Sequence, residues 1–531
     1  MKTTGLPHRI SRRRILALAG GTAAALAAAP GHLAAKQGPA EPTPAGPAAP
    51  ELPLPSTLAA DASPEFRAVA EALVAAMRES RIPGAALGIL AGDREEHATF
   101  GVASLSSLRP VTPATLFQIG SLAKTYTATV IWRLIDEGAL ALDAPVRTYL
   151  PTLRLSDEAT AATVTVANLL DHTAGWYGDE GFETGNDDDA LARYVAERLP
   201  VLPQLFPCGA FFSYNNSAFQ LLGRLIEVTT GTPYNDAMQR LLLGPLDLTD
   251  TLLEREAVLR RPYADGHFAG PINGRDGVAV QTPLWVPRAV DPAGGIWATT
   301  PDVLRYARLH LGAHAAPERA RVVQPASLRR MQEPVVPVPG TPLRMGLDWF
   351  SQEVDGLRAI SHNGDTNGQH TVFLAVPERG FAVTLLLNGQ PGGAAGLVVL
   401  DEALARYPGL GSLAGQVGIT RAGLAPEDAE PVALTREQLA PYAGRYVDPG
   451  QTDTFSLTAD GLEATSELTP EPGAWEATIA PLPPTGPVSI AFLAEDSAVA
   501  GGGRLAFVRN GTGDVGWVAS GLRLRPRIAG F

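Results

Sequence analysis

The stretch Ile119-Gly120-Ser121-Leu122-Ala123-Lys124-Thr125-Tyr126, or IGSLAKTY, decides how this 531-residue chain is read. The sequence holds three lysines, Lys2, Lys36 and Lys124, against 39 arginines. A coding bias toward glycine, proline, alanine and arginine explains why lysine is scarce. It does not explain why Lys124, the one lysine within the part that patterns as folded, persists. The segment Ser121 to Glu137 has helical spacing, so Ser121 and Lys124 lie one turn apart on one face. Serine is a weak nucleophile at neutral pH and needs a base within hydrogen-bond reach. Lysine serves only if burial or positive neighbours lower its pKa from about 10.4. Arginine does not give up its proton. The role therefore demands lysine. The helix N-terminus also directs backbone N–H groups to a place near Ser121 where an oxyanion can sit. The spacing alone is weak, since Gly411-Ser412-Leu413-Ala414 repeats the letters without a lysine.

Composition narrows the field. Hydrophobic residues make up 45% and charged residues 18% of the chain, as in globular proteins with large cores. A net charge of −13 argues against nucleic acid as a partner, because phosphate binding needs a basic surface. The single cysteine, Cys208, excludes an internal disulfide and argues against a cysteine-based zinc site. It reads as a buried thiol without a nearby histidine. Ser11-Arg12-Arg13-Arg14 precedes a weakly apolar run, the pattern of a twin-arginine export signal over residues 1–36. Export to the periplasm or the extracellular medium is the expectation. A proline- and alanine-rich linker follows over 37–60. No later stretch is apolar enough to span a bilayer.

Pattern then divides the rest. A helix is predicted from Pro64 to about Ser80, followed by a strand hairpin around Gly92-Asp93. LRAISHNG, HTVFLAVPERG and FAVTLLLNG read as three more strands, the last two joined at Glu378-Arg379-Gly380. Strands at both ends of a mainly helical middle predict one antiparallel sheet flanked by helices, an α/β fold of α+β type, over 61–408. Residues 409–434 look like a linker. Residues 435–531 hold six short alternating runs, the last being VGWVASGLRL, and predict a small all-β barrel or sandwich.

The wider pattern IGSLAKTYTATVIWRLIDEGALALDAPVRTYLP resembles the nucleophile region of the penicillin-recognising serine hydrolases. That family includes class C β-lactamases, DD-carboxypeptidases, esterases and D-aminopeptidases. Further landmarks follow in order: Leu169-Leu170-Asp171-His172-Thr173-Ala174-Gly175, Tyr214-Asn215-Asn216, Asp291-Pro292-Ala293-Gly294-Gly295 and His362-Asn363-Gly364. The resemblance spans roughly residues 64 to 400. It implies a β-lactamase-like fold and acyl transfer through an acyl-enzyme. Ser121 would be the nucleophile, Lys124 and Tyr214 would share its proton, and Asn216 would hydrogen-bond Lys124 and the substrate. A nearby ammonium would bring Tyr214 down toward working pH. His362, Asn363, Gly364 and Asp365 would line the substrate, with the Ser121 and Asp365 amides as oxyanion hole. His172 would brace a loop.

The third motif carries His362 where antibiotic-hydrolysing relatives carry lysine. A neutral histidine offers less to a substrate carboxylate, which favours an esterase, amidase or peptidase over a true β-lactamase or DD-carboxypeptidase. A non-catalytic binding protein on the same fold is the alternative that an intact Ser121, Lys124 and Tyr214 set argues against. The C-terminal runs YAGRY and GWVASGLRLRP resemble the lipocalin-like barrels attached to some relatives. Substrates are expected to be small molecules or peptides, without metal or cofactor. Gly511-Thr512-Gly513-Asp514-Val515-Gly516 fits a dinucleotide fingerprint but precedes a strand, so it reads as a hairpin turn. His310 and His314 lack a zinc-protease glutamate and read as a solvated helix end.

Overall fold

The computed structural model describes residue 54 and residues 56–272, 275–312, 322–416, 431–468, 485–500 and 503–528. The expected export signal lies outside the described residues. So do most of the 37–60 linker, 417–430 of the second linker, and His314.

The larger N-terminal part is built on one antiparallel sheet. Its strands are β1 (Ser56–Leu58), β2 (Gly84–Ala91), β3 (Arg94–Gly101), β4 (Val336–Pro337), β5 (Arg344–Met345), β6 (Phe350–Val354), β7 (Leu357–Ser361), β8 (Gly364–Thr366), β9 (Gln369–Val376) and β10 (Phe381–Leu387). Their order is β1-β3-β2-β10-β9-β7-β6-β5-β4, with β8 paired to β9. An early and a late segment of this part thus meet at the centre, where β2 pairs with β10. Apart from Thr384, these two strands are apolar because both faces are covered. Ala85, Leu87, Ile89, Val383 and Leu385 pack under α1 (Pro64–Ser80) and a late helix (Gly393–Arg406). Ala86, Leu90, Ala382 and Leu386 face the other way. There they meet α2 (Ala123–Asp136), α3 (Asn216–Thr230) and α4 (Thr300–His310). Alternation at period two sorts one apolar run between two cores. The helix α1 begins at Ser63, whose Oγ accepts from the Phe66 amide at 3.1 Å, with Pro64 in its first turn.

Several boundaries move. β1 falls inside the expected 37–60 linker, because Ser56 and Leu58 pair with Phe100 and Ala98. The first residues of the expected 409–434 linker belong to the core, since Leu410 and Leu413 are buried against the late helix. LRAISHNG breaks at His362-Asn363 into β7 and β8. His310 is not a solvated helix end. It is 2% exposed, and burial pushes its pKa down to about 3.

The C-terminal module is a closed antiparallel barrel of eight strands, β11 (Gly444–Asp448), β12 (Gln451–Leu457), β13 (Leu462–Leu468), β14 (Thr485–Ala494), β15 (Ser497–Ala500), β16 (Gly503–Arg509), β17 (Val515–Ser520) and β18 (Arg523–Ile528). Closure removes the open edges that a sheet this small would expose. Tyr442, Tyr446, Phe455, Phe492 and Phe507 fill its interior, so it is a packed core. The run VGWVASGLRL is two strands, not one. It turns at Gly521-Leu522, with Ser520 opposite Arg523 and Leu522 at φ 69°. Gly511 to Gly516 lies in the β16–β17 hairpin, as expected.

Candidate active site

Chain geometry at the head of α2 follows from two glycines. Gly120 adopts φ 55° and opens a short 3-10 turn (Gly120–Leu122) that leads into the helix. A Cβ on Gly120 would lie 2.6 Å from the Asp365 amide nitrogen. A Cβ on Gly364 would lie 1.9 Å from the Ile119 carbonyl oxygen and 2.8 Å from the Ser121 nitrogen. Only two bare backbones can approach this closely. Their contact brings the Ser121 and Asp365 amides to one place, as an oxyanion hole requires.

Lys124 lies beneath. It is 0% exposed; its Nζ donates to Ser121 Oγ at 3.1 Å and to the Ala293 carbonyl at 2.7 Å. Ala293 belongs to the turn Asp291–Gly295, which explains that landmark: its backbone orients the amine. Burial pulls Lys124 down to about 7, with Arg523 pushing the same way and the buried Asp348 and Asp179 pulling back up. The amine is therefore poised to exchange a proton near neutrality. Its Nζ also lies 4.9 Å from the centre of the Tyr214 ring.

Tyr214 is held between aromatic and cationic partners. His172 stacks on it with ring centres 4.5 Å apart, and its Nδ1 accepts from the Asn215 amide at 2.9 Å. His172 thus braces the loop, as expected, and burial keeps it neutral. The Tyr214 hydroxyl faces Ser121 without a well-formed hydrogen bond. Its pKa runs opposite to the expectation from sequence. Burial raises it and outweighs the lowering by Ser121 and Arg523. In the free protein Lys124, not Tyr214, is the group near its titration point.

Asn216 also departs from its expected partner. Its Nδ2 donates to Asp179 Oδ1 at 2.9 Å and makes no bond to Lys124. Asp179 in turn pairs with Arg523, whose Nη2 lies 2.7 Å from Oδ1. Arg523 stands at the start of barrel strand β18, and its guanidinium carbon lies 4.6 Å from the centre of the Tyr214 ring. Two hydrogen bonds stitch this hairpin to the motif. The Tyr214 amide donates to the Leu522 carbonyl at 2.9 Å, and the Leu524 amide donates to Ser213 Oγ at 3.1 Å. The barrel therefore contributes a residue to the site. Sequence reading missed Arg523 because it passed over the turn at Gly521-Leu522; the cue was the break in the VGWVAS alternation.

His362 closes another wall, 6.1 Å from Tyr214 between ring centres. Burial, with Lys124 nearby, pushes it down to about 3, so it is neutral. Its Nε2 and both amide atoms of buried Asn363 have no partner. Those atoms are buried polar groups without a protein partner beside the site. Cys208 is half-buried, and burial pushes its thiol up to about 11, which leaves it unreactive.

A serine beside a buried lysine of depressed pKa, an amide pair behind it and a tyrosine above it occur together on a helix-flanked antiparallel sheet. Residues 67–405 match the Beta-lactamase family. The chain belongs to that family. Penicillin-binding protein 4 of Amycolatopsis lactamdurans is 34% identical over 380 residues, covering 70% of this chain and 95% of that protein. Esterase EstB of Burkholderia gladioli is 33% identical over 266 residues, covering 43% of this β-lactamase-family chain and 66% of the esterase. Among solved structures, SurE superposes with a TM-score of 0.66 at 25% identity and covers 87% of this chain and 99% of its own. That coverage extends beyond the β-lactamase-family domain into the barrel. Among the described residues, no helix is long and apolar enough to cross a membrane.

Proposed function

We propose that this β-lactamase-family protein is an exported serine hydrolase that cleaves small ester or amide substrates through an acyl-enzyme. The observation that carries the reading is the fully buried Lys124, at about 7 and 3.1 Å from Ser121 Oγ. Neutral Lys124 takes the proton as Ser121 Oγ attacks the substrate carbonyl. The Ser121 and Asp365 amides hold the oxyanion. Tyr214, with its proton retained by burial, passes a proton to the leaving group and recovers it from Lys124. Water then clears the acyl group from Ser121.

Substrate class follows from what the walls lack. His362 is neutral, and Arg523 is committed to Asp179. Neither offers a free cation to a carboxylate, whereas Asn363 offers an unpartnered amide. An uncharged peptide ester or amide fits better than a penicillin. SurE was also solved with D-Leu, which supports including D-amino-acid derivatives among the substrates.

Intact mass after exposure to a fluorophosphonate, an aryl ester, a D-amino-acid amide and a penicillin tests this. Ser121 is expected to be phosphonylated by the first, acylated by the next two and only slowly acylated by the penicillin. Turnover that survives in Ser121→Ala would sink the assignment, and rapid penicillin turnover would favour the β-lactamase reading. Export is tested separately: Arg12→Lys with Arg13→Lys is expected to hold the chain in the cytoplasm.

A further inference from the structure

We propose that Asp365, His370 and Gln390 form a side-chain clamp that positions the oxyanion-hole amide of Asp365. The inference rests on the hydrolase reading above and adds the side chains of Asp365, His370 and Gln390, which that reading does not use. β8 is three residues long and returns through Asn367-Gly368 into β9. A two-residue turn makes Thr366 and Gln369 the bonded pair of the ladder, and antiparallel pairs alternate. Asp365 and His370 therefore face each other as a non-bonded pair. The Asp365 amide points away from β9, toward the Gly120 backbone that it meets there. It is free for an oxyanion, but the ladder does not hold it.

Side chains replace the missing ladder bonds. The opposed side chains of a non-bonded pair are close, and His370 Nδ1 lies 2.7 Å from Asp365 Oδ1. Gln390 Nε2 donates to the same oxygen at 3.1 Å and to the Gln369 carbonyl at 3.3 Å. His370 is 2% exposed, and a Cβ on Gly392 would strike its ring, so the loop after β10 seals it in place. Gln390 is itself tied down, its amide donating to the His267 carbonyl at 2.9 Å. The arrangement also has an electrostatic consequence. A loose carboxylate one residue from the oxyanion would oppose the negative charge that forms there. His370 binds that carboxylate and keeps it turned away.

The test compares variants by fluorophosphonate phosphonylation rate, aryl-ester kcat and KM, and melting temperature. His370→Leu removes the donor and is expected to lower kcat and phosphonylation together by about 10- to 100-fold while KM stays within about twofold. His370→Asn keeps an N–H where Nδ1 stood and is expected to recover most of the loss. Asp365→Ala acts on the half-exposed partner and gives the same kcat loss even where His370→Leu folds poorly. Wild-type phosphonylation rates in Asp365→Ala, or His370→Asn as impaired as a folded His370→Leu, would overturn the clamp. Failure of the hydrolase reading looks different, because the parent protein itself would then resist phosphonylation at Ser121.

Discussion

Lys124 is the residue whose protonation governs both stability and chemistry. Its pKa is about 7 in the fold, against about 10.4 for a free lysine. Below about 7 both states hold the proton, and the native state bears the full cost of a buried charge. Between the two values the unfolded chain binds more protons, so native stability rises with pH by about 1.4 kcal/mol per unit. Lys124→Met lacks this term. It is expected to be inactive, and its stability relative to the parent is expected to fall as pH rises from about 7 to about 10. Urea unfolding at several pH values checks this; a constant difference would be inconsistent with a buried lysine. Activity shares this preference, since only the neutral amine accepts the serine proton. Acylation is expected to rise with pH through about 7. Lys124→Arg keeps the charge and loses the base, so acylation is expected to drop by at least about a thousandfold. A near-normal rate by intact mass would remove Lys124 from the role of base.

The β17–β18 turn shows how one element reaches into another's chemistry. Its Arg523 sits over Tyr214 and pairs with Asp179, which also accepts from Asn216. The guanidinium pushes Lys124 down, whereas Asp179 pulls it up. Arg523→Gln removes the first influence and uncovers the second. Both changes raise the pKa of Lys124. The acidic limb of kcat/KM is therefore expected to move above about 7, with activity recovering at higher pH. A limb that stays in place while the rate falls uniformly would make Arg523 a structural residue only. The opposite end of the site depends on a different kind of element. There, β8 is too short to hold itself by its ladder, and side chains complete what the strand lacks.

At the scale of the whole molecule, the barrel is docked rather than tethered. Trp517 donates from Nε1 to the Leu205 carbonyl at 3.0 Å and packs against Phe211, with Phe206, Ala506, Ala519 and Leu524 around them. Arg504 adds a bond to the Gly340 carbonyl at 3.1 Å. Trp517→Ala is expected to cost about 2 kcal/mol and to lower kcat, because the same face carries Arg523 into the site. Unchanged kcat in a destabilised variant would separate docking from catalysis. Much of this protein was legible in the residues alone. Ser121 and Lys124 lie three residues apart across a short 3-10 turn and the helix it leads into, so local spacing places them, and the chemistry of proton transfer explains why an arginine-rich chain keeps that lysine. The central strands are apolar runs bounded by turns, and their joining into one sheet follows from burial on both faces. Other features are set by partners distant in sequence. Asn216 turns to Asp179 because Arg523, more than three hundred residues later, holds that carboxylate. Tyr214 is raised rather than lowered because burial outweighs nearby positive charge, and burial depends on everything packed around a site. Sequence determined the pairing of Ser121 with Lys124 and the apolar strands of the sheet beside them, since each is written in a local pattern. Tertiary structure decided which groups surround them, because desolvation and ion pairing arise only when remote segments close on the same few ångströms.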